Sequence, residues 1–246
     1  MEIGIVGLPI NMPTLSVIIP TLNEEKYIPL LLADICKQSY KNYEVLVVDC
    51  KSTDKTYEFV EKFKKDIENL TIYSVNNRNI GYQRNFGGKR ARGEWIIFLD
   101  ADNRLKSDFF ERIRINIRNF RSGVFFTTGI YIDSSNLASL ILSVYINMGL
   151  FIFPKIGFSW LVGSFIGIRK SDFITVGGFH ENSIPGEDYA FAKKAVRKGM
   201  KYILLFSPKY YFSFRRIAKY GFIKSLWNYS WGGTKNYMNW LNNRKW

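Results

Sequence analysis

The hydrophobic pattern predicts an α/β protein built on a parallel, right-handed, doubly wound sheet flanked by helices, and three observations carry that reading. Short apolar runs of strand length alternate with segments of helical period along the first hundred residues. Several of those runs end directly in clusters of carboxylates, hydroxyls and amides, as strands do where they open onto the crevice of an α/β sheet. With 47% hydrophobic residues in a chain of 246, there is ample material for a buried core.

In chain order, residues 1–14 have neither the basic start nor the apolar centre of a signal peptide and are set aside as a leader. Residues 15–20 read as a first buried strand closed by Pro20, and residues 27–36 as a helix. Thr21 or Asn23 suits its cap, and Glu24 its positive first turn. Residues 43–48 form the second strand, which runs into Asp49, Ser52, Thr53 and Asp54 before a helix to about residue 65. A third strand over 70–75 and a helix over 80–91 follow, the latter holding Gly81, Arg84 and Asn85. Residues 94–99 are a fourth strand that discharges into Asp100-Ala101-Asp102.

That last turn places two carboxylates one small residue apart. They suit a hard divalent cation, Mg²⁺ or Mn²⁺, which in turn recruits phosphates. They also suit a solvated turn with a helix cap. The other clusters tip the balance, because three polar strand ends at one sheet edge make a site. No Gly-x-Gly-x-x-Gly opens the first helix, so no dinucleotide cofactor is expected. Cys36 and Cys50 make no disulfide framework, which points to a reducing compartment, and the one histidine, His180, excludes a multi-histidine metal site.

Pro20-Thr21-x-Asn23-Glu24, Val48-Asp49-x-x-Ser52-Thr53-Asp54, Gly81-x-x-Arg84-Asn85-x-Gly87 and Asp100-Ala101-Asp102, in that order, resemble the inverting glycosyltransferase family 2 with its GT-A fold. The resemblance implies a mixed, mainly parallel sheet and a hydrophobic or amphipathic C-terminal part. It divides residues 15–215 into a nucleotide-sugar half (15–104) and an acceptor half (105–215), leaving 216–246 as a basic aromatic tail. By the same resemblance Pro20, Thr21, Asn23, Glu24, Asp49, Ser52 and Asp54 lie on the nucleoside. Gly81, Arg84 and Asn85 support the diphosphate, Asp100 and Ala101 line the donor, and Asp102, with Asp100, carries the cation. The Gly177-Gly178-Phe179 segment followed by Glu187-Asp188 resembles the family's catalytic region. It makes Asp188 the general base and Glu187 an acceptor-positioning residue or second base, although both acids also suit a plain helix cap. His180 stands where the family often has Asp and reads as a loop residue. Arg215-Arg216 resembles an Arg-Arg segment of some members of the family; the pair suits a leaving diphosphate, an acceptor lipid phosphate or simply part of the basic face.

The second half is less regular. Residues 123–132 read as a strand, and 137–154 are apolar and uncharged at the lower limit of a membrane span. A single crossing would put Asp102 and Asp188 on opposite sides of a bilayer, and residues 158–168 are too short to return. An amphipathic or shallowly inserted element on a membrane surface is therefore expected, with an ordinary core helix as the alternative.

Net charge sharpens the picture. The chain carries +14, but its first 188 residues hold 22 basic against 21 acidic groups. From Tyr189 onward there are 13 Lys and Arg, 16 aromatics and no Asp or Glu. Such a mixture suits an anionic membrane surface, and it suits single-stranded nucleic acid less well here. The combined expectation is metal-dependent, inverting sugar transfer from a nucleoside-diphosphate sugar to a polyprenyl phosphate, lipid-linked saccharide or other lipid. The location would be peripheral, on the cytoplasmic face of a membrane. Two other readings stand beside it: nucleotidyl transfer, and a non-catalytic module binding membranes or nucleic acid through the tail. The apolar second half also suits a homodimer face.

Overall fold

A computed structural model describes residues 13–132, 137–156, 161–181 and 186–213. Seven strands form one sheet in the order β3-β2-β1-β4-β6-β5-β7. Strands β1 (Leu15–Thr21), β2 (Tyr43–Asp49), β3 (Leu70–Ser74) and β4 (Trp95–Leu99) are parallel, as the alternation predicts. Helices α1 (Ile28–Cys36), α2 (Thr56–Phe63) and α3 (Ile80–Arg90) are their crossovers. Strands β1, β2 and β4 are buried at every position, so they read as continuous apolar runs and not as alternating ones.

Beyond β4 the topology changes. Helix α4 (Phe109–Ile117) leads to β5 (Val124–Ile132), and α5 (Leu137–Ile152) and a 3₁₀ turn (Phe153–Ile156) follow. Strand β6 (Phe165–Arg169) inserts antiparallel between β4 and β5. Short α6 (Lys170–Val176) and α7 (Glu187–Arg197) precede the edge strand β7 (Lys201–Phe212), which is parallel to β5. Only β6 of the seven runs backward. The C-terminal ends of β1, β2, β4, β5 and β7 therefore share an edge with the N-terminal end of β6.

Two apolar clusters cover the two faces of the sheet. One joins α1, α4 and α5 to residues such as Val17, Trp95, Phe126 and Tyr210. The other joins α6 and α7 to Ile18, Phe98, Phe125 and Ile168. Helix α5 turns a stripe of Leu142, Ile146 and Leu150 onto the first cluster. Its Asn147 accepts from the Ile130 N–H (2.9 Å) and donates to the Ile130 carbonyl (2.8 Å), satisfying the backbone where β5 slips register against β7 between Thr128 and Ile130. No helix among the described residues is long and apolar enough to cross a membrane. Elements α4, β6, α6 and β7 go beyond those expected from the sequence. The leader through residue 12, Arg215, Arg216 and the 216–246 tail lie outside the described residues.

Candidate active site

The two loops expected to hold the nucleoside are laced together. Asp49, buried at the end of β2, accepts from Thr21 Oγ1 (3.0 Å) and Ser52 Oγ (2.5 Å) on one oxygen and from Ser52 N–H (2.9 Å) on the other. Asn23 adopts a left-handed φ of 56°; its N–H donates to Ser52 Oγ, and its side-chain oxygen accepts from Thr53 N–H at 2.8 Å. The Glu24 N–H donates to Thr56 Oγ1 (2.7 Å). Asp54 closes the loop, accepting from the Glu25 N–H and from both polar groups of Thr56. Burial pushes the Asp54 carboxyl up, but these hydrogen bonds outweigh it and leave it below the usual carboxylate range. Gln83, a residue the sequence does not single out, donates from α3 to the carbonyls of Thr21 (2.9 Å) and Val48 (2.7 Å), pinning β1 to β2.

Arg84, which the resemblance assigns to the diphosphate, is turned inward, with 1% of its side chain exposed. Nη2 donates to Asp100 Oδ1 (2.9 Å) and to the Gly163 carbonyl (2.7 Å), and Nη1 donates to Glu187 Oε1 (3.0 Å). The ring of Phe179 lies 5.3 Å from its central carbon. Burial alone would lower the guanidinium pKa, yet Asp100, Glu187 and Asp188 more than reverse that and hold it charged. One cation thus ties the acid turn after β4 to the acid pair that opens α7.

Asp188 sits at the start of α7, its Oδ2 accepting from the Gly163 N–H and its Oδ1 from the Tyr189 N–H, each at 2.8 Å. Desolvation, then the neighbouring Glu187 charge, push its carboxyl up to about 7, against the opposing pull of Arg84 and the two N–H groups. Gly163, also unread in the sequence, serves both groups through its backbone: its carbonyl takes Arg84 and its N–H takes Asp188.

Asn85 clamps the loop at 177–181. Its amide donates to the Phe179 carbonyl (2.9 Å) and to Glu181 (2.8 Å), and its oxygen accepts from the Phe179 N–H (2.8 Å). The fit is tight enough to exclude side chains: a Cβ on Gly178, whose φ is +70°, would lie 2.3 Å from the Asn85 oxygen, and one on Gly81 2.2 Å from the His180 carbonyl. His180 itself is half-buried on this loop. Lys194 on α7 holds the same loop from the other side through the carbonyls of Gly177 and Gly178.

Asp102 is half-buried and Ala101 buried, both in the turn that the Asp100 N–H anchors to the Ser164 carbonyl at 3.0 Å. Among the described residues no three Asp, Glu, His or Cys form a metal cluster. Asp100 and Asp102, one residue apart in the chain, nevertheless suit a cation that takes one or two protein oxygens and completes its shell with water and substrate phosphates, the habit of Mg²⁺. The antiparallel bridge between Arg104 and Tyr211 fastens this turn to the end of β7.

The sequence model "Glycosyl transferase family 2" matches residues 16–177 of this chain, well over half of its length. The chain belongs to glycosyl transferase family 2. Over 104 residues it is 40% identical to a dolichyl N-acetyl-alpha-D-glucosaminyl phosphate 3-beta-D-2,3-diacetamido-2,3-dideoxy-beta-D-glucuronosyltransferase of Methanococcus voltae, a match covering 41% of this chain and 32% of that one. Over 101 residues it is 40% identical to the poly(ribitol-phosphate) beta-N-acetylglucosaminyltransferase TarS of Staphylococcus aureus, covering 39% and 18%. The chain thus matches less than half the length of either relative. In three dimensions it resembles TarS 1–349 in complex with UDP, with a TM-score of 0.65 and 25% identity over 81% of this chain and 60% of the other. The mannosyltransferase PcManGT from Pyrobaculum calidifontis, solved with GDP-Man and Mn²⁺, shares the fold at a TM-score of 0.70 and 20% identity, over 95% and 66%.

Proposed function

We propose that the chain transfers a sugar, with inversion, from a nucleoside-diphosphate sugar to a membrane-located acceptor, a polyprenyl phosphate, lipid-linked saccharide or other lipid. The observation that carries this reading is the buried Arg84, which holds the acid turn at Asp100 and the acid pair Glu187-Asp188 on one guanidinium. Family membership supports the reaction class, the UDP of the TarS complex supports the donor class, and the dolichyl phosphate in the Methanococcus relative's name supports the acceptor class.

The laced loops at Thr21, Asn23, Asp49, Ser52 and Asp54 shape the nucleoside pocket, where Asp49 and Asp54 have lone pairs left for ribose or base hydroxyls and amides. Asp102 and Asp100 would hold Mg²⁺ or Mn²⁺, which supplies positive charge to the departing diphosphate. Asp188, with a pKa near neutrality, takes the proton from an acceptor hydroxyl as it attacks the sugar carbon. Glu187, fixed by Arg84, orients that acceptor. A phosphate acceptor arrives already anionic and needs no base. Arg215 and Arg216 remain assigned to a leaving or acceptor phosphate.

A thermal-shift screen with UDP-, GDP- and dTDP-sugars, each with and without Mn²⁺, tests the reading. A ligand of the folded state raises its apparent stability by mass action. One nucleotide class is expected to shift the melt only with metal. Asp102→Ala should lose that shift and slow transfer by ~10³-fold. Full activity in Asp102→Ala overturns the metal assignment, and no shift with any nucleotide sugar overturns the donor.

A further inference from the structure

Helix α5 has two apolar faces, and among the described residues the fold buries one. Ser139, Leu142, Ser143, Ile146 and Leu150 recur at helical spacing and are buried. On the opposite side Leu137, Leu140, Ile141, Val144, Met148 and Ile152 recur at the same spacing and face outward, Leu137 with 71% of its surface exposed. Phe151 extends that row to Phe206 on β7, which is 66% exposed and 5.8 Å away ring to ring. A surface helix ordinarily carries charge on its outer face. This one carries none in 16 residues.

We infer that the outer face of α5, together with Phe206, docks on an anionic lipid membrane, the helix lying in the plane of the interface. Charge points to this partner. No Asp or Glu occurs between Asp133 and Asp172, or anywhere after Asp188. Lys155 stands at the end of the helix with its ammonium 3.4 Å from the centre of the Phe151 ring, and Lys209 covers Tyr131 at 4.6 Å on the neighbouring strands. Apolar side chains flanked by cations and without carboxylates match an acidic headgroup layer over hydrocarbon. A second copy of the chain would bring the same cations to this face with no carboxylates to meet them. Sixteen residues make a strip ~24 Å long, too short to cross a bilayer of ~30 Å, and its inner face is committed to β5.

Position adds a consequence. Helix α5 starts where β5 ends, on the edge that carries Thr21, Asp49 and Asp100, so a chain docked this way opens its site beside the headgroups. That consequence rests on the proposed transfer to a membrane acceptor, whereas the docking itself does not.

The experiment is sedimentation of the full chain with vesicles of phosphatidylglycerol and phosphatidylcholine, or of phosphatidylcholine alone. Wild type should partition onto the anionic vesicles, and Val144→Glu/Met148→Glu should lower that partition by at least about tenfold while melting as wild type does. Ile115→Glu, an exposed apolar site on α4, should leave it unchanged. Failure of wild type to bind, equal binding by the double variant, or equal loss in Ile115→Glu overturns the inference. So does light scattering that shows a dimer which the double variant dissociates. Nucleotide-sugar thermal shifts run in parallel separate the two ideas: their absence, with vesicle binding behaving as expected, removes the transferase reading and leaves the docking face standing.

Discussion

The proposed donor side and the proposed acceptor side of this site are built in different ways. On the proposed donor side the contacts are short in space and local in topology: two adjacent parallel strands end together, and their loops exchange five side-chain-to-backbone hydrogen bonds among Asn23, Glu24, Glu25, Ser52, Thr53, Asp54, Lys55 and Thr56. Among the described residues the proposed acceptor side shows no such lacing. Its loops at 163 and 177–181 and the start of α7 are held largely by two consecutive residues of α3, Arg84 and Asn85, which reach them across separations of 79 to 103 residues. One side is held by many short local bonds, the other mainly by Arg84 and Asn85, with Lys194 and Asp188 adding three more. Single substitutions should therefore hurt the acceptor side far more.

Arg84→Ala should give the largest effect. It leaves Asp100 and Glu187 partly buried without their cation, a loss worth about 3–5 kcal/mol for a buried pair, which urea denaturation would register. Arg84→Lys should recover little, since a point ammonium cannot bridge two carboxylates and a carbonyl in the way a planar fork does. If Arg84→Ala melts like wild type, the acceptor side has other supports and the contrast fails.

Asp188→Asn comes next and tests chemistry more than folding. Transfer to a hydroxyl acceptor should fall by about 10²–10⁴, while transfer to a phosphate acceptor should persist. The pH profile sharpens this. With the Asp188 carboxyl raised to about 7, its basic form accumulates above that pH, so wild-type activity should climb through neutrality and the climb should vanish in the variant. Stability should run the other way. The fold favours the neutral carboxyl, so the contribution of Asp188 is fully present below its ordinary unfolded value and is lost as pH rises through about 7. The Asn variant should accordingly gain stability over wild type at pH 8 but not at pH 4. A rate profile that keeps its rise in Asp188→Asn would assign the base elsewhere.

The same contrast decides what could be read from sequence. Thr21, Asp49, Asp100 and Asp102 are visible because they close or follow an apolar strand, with Asp54 in the loop just beyond, and a strand end is a local pattern. Arg84 and Asn85 are visible as residues but not as contacts, because nothing near them in the chain says that their partners lie at 163, 179 and 187. Gly163 leaves no mark beyond being a glycine before a strand, since it works through its backbone. Strand β7 escapes for a different reason: it is an edge strand with exposed Lys201, Phe206 and Ser207 interrupting its burial, so it shows no clean period. Residues 137–154 are legible as apolar and uncharged, yet only the fold divides them into a stripe that packs on β5 and a stripe that does not.

Asn85→Ala should show a smaller cost than Arg84→Ala. It removes two donated bonds and strands the buried Phe179 N–H, worth about 1–3 kcal/mol. Because the loop at 177–181 lies on the acceptor side, KM for the acceptor should rise while the nucleotide-sugar thermal shift stays near wild type. Equal damage to both substrates would mean that the loop also supports the donor.

Asp54→Ala should give the smallest effect, and it probes the redundancy of the laced side. The carboxylate satisfies Thr56 and Glu25, a capping role worth about 1 kcal/mol, but Asn23, Ser52 and Glu25 still bind the two loops together. Its pKa lies below the ordinary value, so its stabilisation is present above the unfolded value and is lost as pH falls through the lower, folded one. The wild-type advantage over Asp54→Ala should therefore hold at pH 7 and shrink in acid. Urea midpoints for both proteins at pH 7 and pH 3 would measure it. A loss at pH 7 as large as that of Arg84→Ala would show that the donor loops depend on one carboxylate, and that the two sides of the site are built alike after all.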